Sequence, residues 1–302
     1  MARTYEKAYF NDKIISLDES KINIASSAVL YGLSVYTVFP IVVTKNGVAV
    51  FRLKDHYCRL VNSANIIGID SFEKYWNFDL FLSAVKSLVE ANNINKQSLV
   101  RATVHVTDLV PGTRSRGLNT ILSMFIYESE PILSPNGSRL KTSVWRRVPD
   151  YAIPSRAKVN GAYVNSVLGK QDAIDSGYDD CLFLDSEGHV CELSAANIFI
   201  VRDGVLITPG TNNDILEGIT RKTVIELANS MEMKVIEREI DLTEIYVAEE
   251  IFATGTSSNI APILEVDARK IGSGNLGRLT KMIMDKYNEV LNGEDSKYLT
   301  FL

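Results

Sequence analysis

Apolar residues recur along this chain with two rhythms, one of period two and one of period three to four. Residues 8–17 read as a strand pair turning at Asn11-Asp12, and residues 35–52 as a longer hairpin turning at Asn46-Gly47, a pair suited to a type I′ turn. Tyr57, Leu60, Val61, Ala64 and Ile67 then follow a helical spacing that leaves Arg59 off the apolar stripe. Phe78, Phe81, Leu82, Val85, Leu88 and Val89 make a second stripe, ended by Asn92-Asn93. Residues 99–107 alternate as a strand that puts Arg101 and His105 on one face, and residues 119–128 form another.

The rhythm breaks at residues 129–138, where Pro131, Pro135, Asn136 and Gly137 read as an interdomain linker. The expected division is an N-terminal domain over 1–128 and a C-terminal domain over 139–302, both of mixed α/β class. Residues 141–147 lead as a strand to Lys158, a helix closes at Gly177, and two short apolar strands carry the chain past Glu192 to Asn197. Gly218 opens a helix with Val224, Leu227, Ala228 and Met231 inward, Asp241 to Glu244 has capping-box spacing, and Leu276, Leu279, Ile283, Tyr287 and Val290 mark a last helix.

Composition narrows the function classes. The chain has 302 residues, 46% of them hydrophobic, enough for about two cores. A formal charge of -5 argues against a nucleic-acid partner and for small molecules. Cys58, Cys181 and Cys191 form no C-x-x-C pair and read as buried thiols. No apolar run reaches membrane-spanning length and the N-terminus lacks a signal core, so a cytoplasmic protein is expected. The three histidines are too scattered for a metal motif. Gly272 to Gly277 satisfies G-x-G-x-x-G, but too little chain follows for a βαβ unit.

Two residues are out of keeping with their surroundings. Lys158 lies between Pro154 and an apolar, Tyr-containing run, and a partly desolvated lysine is a candidate Schiff-base nucleophile. Glu192 lies in an apolar strand and needs a cationic or proton-bearing partner, which a protonated pyridine nitrogen would provide. Read from the residues alone, both also fit ion pairs at element ends. Arg59 fits either a surface salt bridge or a ligand contact. Arg101 suits bidentate grip of a carboxylate, and the turn-rich loop 110–117 with Arg114 and Arg116 reads either as a functional loop or as a hydrated basic loop. Gly218, Ile219 and Thr220 at a helix entrance offer free N–H groups to an anion. The small residues 253–258 let a ligand approach the backbone.

Four runs together resemble the class IV pyridoxal-phosphate (PLP) aminotransferases, with the branched-chain amino-acid enzymes nearest. They are Ala157 to Ser166 (AKVNGAYVNS), Glu192 to Phe199 (ELSAANIF), Gly218-Ile219-Thr220-Arg221 and Thr254-Gly255-Thr256-Ser257, in order and in register. The resemblance implies a fold type IV enzyme, a smaller N-terminal α/β sandwich and a larger C-terminal pseudo-barrel with PLP between them, working as a homodimer. It makes Lys158 the catalytic Schiff-base lysine, Glu192 the partner of the ring nitrogen and Tyr163 a donor to the ring's phenolic oxygen. Asn197 and Leu216 would lie at the cofactor, while Arg59, Gly218, Ile219, Thr220, Gly255 and Thr256 would hold its phosphate. Tyr31, Tyr36, Arg101, Arg114, Arg116, Ser257 and Ser258 would face substrate. The implied reaction moves an amino group between an amino acid, branched-chain and L by preference, and a 2-oxo acid such as 2-oxoglutarate.

The departures from that pattern concentrate on the substrate side. Branched-chain enzymes carry Y-G-x-x-x-F-E-G-I-R where this chain has Tyr31 to Pro40, so that glutamate, glycine and arginine are replaced at Thr37, Val38 and Pro40. The Tyr36-Thr37 pair is nearer the D-amino-acid transaminases and aminodeoxychorismate lyases, which keeps D-amino-acid, (R)-amine and lyase activities as alternatives. Glu217 replaces a common proline.

Overall fold

The computed structural model describes residues 3–302. In chain order the strands are β1 (Arg3–Phe10), β2 (Lys13–Ser16), β3 (Ser34–Thr44), β4 (Gly47–Phe51), β5 (Ser98–Val106), β6 (Thr120–Glu128), β7 (Ser138–Arg146), β8 (Asp180–Leu184), β9 (Val190–Leu193), β10 (Asn197–Arg202), β11 (Val205–Thr208), β12 (Val235–Glu237), β13 (Glu250–Gly255), β14 (Asn259–Val266), β15 (Arg269–Lys270) and β16 (Leu299–Phe301). The α-helices are α1 (Ser27–Leu30), α2 (Leu53–Ile66), α3 (Ser71–Tyr75), α4 (Phe78–Ala91), α5 (Tyr163–Asp175), α6 (Ile219–Ser230), α7 (Leu242–Ile245) and α8 (Arg278–Leu291). Two compact units result, and their membership is not sequential. Ala157–Ala162 and Val290–Leu302 belong with the N-terminal unit, which otherwise ends at Glu130; Pro131–Arg156 and Tyr163–Glu289 make the other. The sequence division assigned both segments to the C-terminal domain. They change membership because Val159 bridges to Val35 and β16 pairs with β4, contacts made by residues far apart in the chain.

The N-terminal unit is an antiparallel seven-stranded sheet in the order β16-β4-β3-β5-β6-β1-β2. Paired residues share a face, so Val35, Thr37 and Phe39 lie with Val104, Ala102 and Val100, while Tyr36 and Val38 lie on the opposite face with Thr103 and Arg101. Against the first face pack the apolar stripes of α2 and α4, including Leu60, Val85 and Leu88, all fully buried. The rings of Phe39 and Phe81 meet edge-on at 6.1 Å. Asn77 caps α4 by accepting from Leu80 N at 2.9 Å.

Turn chemistry follows the sequence with one correction. Asn11-Asp12 has positive φ at both positions, the type I′ geometry that matches strand twist, and Asp203-Gly204 between β10 and β11 has it too. The β3–β4 hairpin instead turns at Lys45-Asn46, since Thr44 pairs with Gly47, and only Gly47 of this trio has positive φ. Thr44 takes over the local bonding: its Oγ1 accepts from Asn46 N at 3.1 Å and donates to the Gly47 carbonyl at 3.0 Å.

The C-terminal unit is a nine-stranded sheet in the order β12-β11-β10-β13-β14-β7-β8-β9, with β15 on β14, and it closes on itself where β9 also pairs with β10. Closure makes a barrel-like ring in which β8, β9 and β10 are buried almost throughout. The parallel pairs β7–β8 and β11–β12 require crossovers, which contain α5 and α6. Phe199 and Phe252 stack at 5.0 Å inside this unit. The glycines before α8 have no free helix entrance to offer an anion, because Glu250 already accepts from Leu279 N and Thr280 N at 3.0 and 2.7 Å.

Two burial expectations change. Leu276 is exposed because it precedes α8, whereas Leu279, Ile283, Tyr287 and Val290 are buried. Cys58 is exposed on the outer side of α2, while Cys181 and Cys191 are buried and their thiols are pushed well up by desolvation. Among the described residues no helix is long and apolar enough to cross a membrane, and no group of His, Cys, Asp and Glu is arranged to hold a metal ion.

Candidate active site

The position of Lys158 follows from how β3 is paired. β5 occupies one edge of β3 from Ser34 to Ile41, while β4 takes the other edge only from Ile41 onward. The open part of that second edge receives the lysine segment: Tyr36 N donates to the Lys158 carbonyl at 3.0 Å and Asn160 N to the Ser34 carbonyl at 2.9 Å. Lys158 N in turn donates to Ser63 Oγ at 3.0 Å, and Ser63 Oγ to the Arg59 carbonyl at 2.7 Å. Gly32 permits the close passage. Its φ is +64°, and a Cβ there would stand 2.9 Å from Gly161 Cα.

The two faces of β3 then carry different chemistry. On the helix side, Arg59 Nη2 donates to Thr37 Oγ1 at 3.3 Å, and Thr37 Oγ1 lies 2.9 Å from His56 Nδ1. A guanidinium only donates, so the threonine proton is free to go to Nδ1, and His56 is then the neutral tautomer protonated at Nε2. Burial is the main cause holding its pKa well below 6.5, followed by the charges of Arg59, Lys158 and Arg52. On the opposite face, the Arg101 guanidinium carbon stands 3.6 Å from the centre of the Tyr36 ring, and Lys158 Nζ stands 4.9 Å from that centre. Lys158 is half-buried, as its apolar neighbours predict. Arg101 Nη2 also donates to Asn160 Oδ1 at 2.5 Å. His105, on the same face, is bonded to Ser123 Oγ at 2.8 Å and lowered to about 4 by burial and by Arg101.

The C-terminal unit surrounds Glu192 with donors. The side chain is almost wholly buried, and Arg147 Nη2 meets its Oε1 at 2.7 Å. Asn197 Nδ2 and Leu216 N donate to Oε2 at 2.9 and 3.2 Å, and Asn197 Nδ2 also reaches the Leu216 carbonyl at 2.9 Å. Gly218 is the N-cap of α6, and a Cβ there would overlap Asn197 Oδ1. The first N–H groups of α6, on Ile219 and Thr220, have no partner within the helix. Gly255 ends β13 beside the Ala195 carbonyl, followed by the turn Thr256-Ser257-Ser258. Ser257 O accepts from Ile132 N at 3.0 Å, and the buried hydroxyls of Thr254 and Ser258 have no hydrogen-bond partner. Tyr163, half-buried, is the first residue of α5.

Within the N-terminal unit, then, Arg59, Tyr36, Arg101 and Lys158 are linked through β3. Within the C-terminal unit Glu192, Asn197 and Leu216 form one bonded group, with Gly218 packed against the Asn197 amide. Tyr31 is exposed at the end of α1, and its carbonyl lies beside Gly161. Arg114 and Arg116 are exposed on a loop anchored by Gly117 N to Asp70 at 3.1 Å. Glu217 forms an ion pair with Arg156 at 3.1 Å. The sequence alone assigns no role to Arg147, Ser63, His56 or Asn160, although Asn160 lies within the run AKVNGAYVNS. His56, Arg59 and Ser63 share a helix face at i, i+3 and i+7, a polar stripe that could have been read beside the apolar one. Nothing local marks Arg147.

Comparison with known proteins decides the family. The model of the amino-transferase class IV family matches residues 34–266. The chain belongs to the class IV aminotransferases. This aminotransferase is 35% identical over 299 residues to a probable branched-chain-amino-acid aminotransferase of Aquifex aeolicus, covering 98% of this chain and 95% of that one. Its fold is that of the fold type IV enzymes. It superposes with a TM-score of 0.92 on the branched-chain aminotransferase of the archaeon Thermoproteus uzoniensis with norvaline, at 32% identity over 98% of this chain and 99% of the other. It superposes at 0.91 on the branched-chain amino acid aminotransferase of Thermobaculum terrenum in its PLP form, at 30% identity over 98% of each.

Proposed function

We propose that this aminotransferase uses pyridoxal 5'-phosphate to move amino groups between branched-chain L-amino acids and 2-oxo acids such as 2-oxoglutarate. The observation that carries the cofactor assignment is Glu192, a buried carboxylate kept beside Arg147 and bonded by Asn197 and Leu216 N. A carboxylate is the acceptor that a protonated pyridine nitrogen requires, and the buried ion pair with Arg147 at 2.7 Å holds this one in place. Names of the relatives favour branched-chain substrates, and one of the similar structures holds norvaline, an unbranched aliphatic amino acid.

The residues suit the group. Bound PLP supplies an aldehyde carbon that can be joined to an amine and a ring that can accept electron density. Lys158 would hold the aldehyde carbon when no substrate is bound and would afterwards carry a proton at the substrate α-carbon. Its backbone is fixed at both N and O, which limits where Nζ can reach. Glu192 would hold a proton on the ring nitrogen, and Tyr163 would donate to the phenolic oxygen. Arg59, the N–H groups of Ile219 and Thr220, and Thr256 would bind phosphate, with Gly218 and Gly255 leaving space for it. Arg101 would grip a substrate carboxylate, with Tyr31, Tyr36, Ser257 and Ser258 beside it, and Arg114 and Arg116 would approach from their loop. A homodimer is part of the same reading. It is supported by exposed Ile24, Val29, Leu30, Leu109 and Val110, which are held near one another by the Ser26–Leu109 bridge.

The test is turnover with PLP, 2-oxoglutarate and one amino donor at a time, scoring glutamate formed. L-leucine, L-isoleucine and L-valine should be donors, with D-alanine and (R)-1-phenylethylamine at least ~100-fold slower, about 3 kcal/mol in transition-state binding. Preference for the D-amino acid or the amine would overturn the substrate assignment. Pyruvate from aminodeoxychorismate without an acceptor would identify a lyase instead.

A further inference from the structure

We infer that Asn160 is a positioning residue that aims Arg101 at a substrate carboxylate while leaving its charge unspent. The inference rests on the reading that Arg101 binds such a carboxylate. Three bonds define the arrangement. Asn160 N donates to the Ser34 carbonyl at 2.9 Å, fixing the backbone on the β3 edge. Asn160 Nδ2 donates to Ser34 Oγ at 2.7 Å, and Oδ1 accepts from Arg101 Nη2 at 2.5 Å. The amide cannot be turned the other way, because a guanidinium has five donors and no acceptor and must therefore meet the oxygen. Ser34, almost fully buried, takes the remaining nitrogen.

The neutral character of the three side chains that frame the guanidinium, Asn160, Tyr36 and His105, matters as much as its position. Tyr36 stacks on Arg101 at 3.6 Å and confines it to a plane. His105 on the same face is lowered to about 4, so it is uncharged at neutral pH. An aspartate would hold Arg101 with the same geometry as Asn160, but it would form an ion pair and satisfy the charge internally. Asparagine fixes the donor fork and lets an incoming carboxylate supply the negative charge. Asn160 also lies two residues from Lys158 on the same edge-paired segment, so one backbone sets the position of the amine and of the guanidinium.

The test compares Asn160→Asp, Arg101→Ala and the double variant in the PLP-loaded enzyme, reading KM and kcat for 2-oxoglutarate and the binding of glutarate, an unreactive dicarboxylate, by calorimetry. Asn160→Asp should raise KM and the glutarate Kd by about 10-fold with kcat changed less than about 2-fold, the signature of lost carboxylate binding. In the Arg101→Ala background the same substitution should add nothing. If Arg101→Ala raises KM but Asn160→Asp does not, Asn160 has no such role although the reading of Arg101 stands. An effect of Asn160→Asp that persists without Arg101 also overturns the inference. If Arg101→Ala leaves KM unchanged, the Arg101 reading itself fails and the inference with it. Should the aspartate variant not fold, Asn160→Ala replaces it, with a KM increase of about 3-fold expected from a guanidinium that is free to move and unchanged KM as the contrary result.

Discussion

Asn197 and Gly218 are matched to each other: the amide of one fills the space where any side chain of the other would stand. The same amide bonds Glu192 and the Leu216 carbonyl, so the glycine protects the setting of a buried carboxylate. Gly218→Ala should therefore displace Asn197, costing about 1–3 kcal/mol of stability as an overpacked site does. Urea unfolding of the variant measures this, and PLP affinity should fall with it.

Arg147 and Glu192 form a pair with little exposure on either side. Removing only the cation, as Arg147→Met, should destabilise by about 3–5 kcal/mol, because the carboxylate is left buried without its partner charge. Arg147→Met combined with Glu192→Gln should recover much of that loss. Denaturant midpoints of the two variants provide the comparison, and equal losses would contradict the account.

Thr37 stands where branched-chain enzymes carry glutamate, and here it joins Arg59 to His56. Thr37→Val deprives His56 Nδ1 of its bond inside the core, which should cost about 1–3 kcal/mol. Thr37→Ser should restore most of this. Thermal unfolding of both variants distinguishes loss of the hydroxyl from loss of the methyl group.

Two histidines of the N-terminal unit, the buried His56 and the half-buried His105, resist protonation, His56 with a pKa well below 6.5 and His105 with one of about 4, in each case mainly through desolvation. The unfolded chain binds a proton near pH 6.5, so below that pH it holds more protons than the folded chain. Stability should then decrease as pH falls from about 6.5 towards 4, by up to about 1.4 kcal/mol per pH unit per histidine. Unfolding free energies at pH 7 and pH 5 measure the slope. His105→Gln should remove about half of it, and an unchanged slope would count against a neutral His105.

The sequence showed most where a residue conflicts with its local surroundings. Lys158 and Glu192 stood out because charge in an apolar run requires a reason, and both are partly or fully buried. Their partners could not be read, because they depend on strand pairing. Arg147 reaches Glu192 only after β7, β8 and β9 have paired, and Asn160 reaches Arg101 only after the lysine segment joins β3. The same cause moved Ala157–Ala162 out of the expected C-terminal domain. Asn46-Gly47 misled because a strong turn pair was outweighed by the register that sets Thr44 against Gly47. Leu276 misled because helical spacing was extended back beyond the first residue of α8.

The central claim is that Lys158 serves a PLP-dependent exchange of amino groups with L-amino acids. The most direct measurement is the visible spectrum of the PLP-reconstituted protein before and after adding L-leucine without a 2-oxo acid. The account predicts a bound-cofactor band that L-leucine converts to the absorption of pyridoxamine phosphate, and a Lys158→Ala variant in which neither the band nor the conversion occurs. A band that persists with L-leucine, or the same band and conversion in Lys158→Ala, would contradict it.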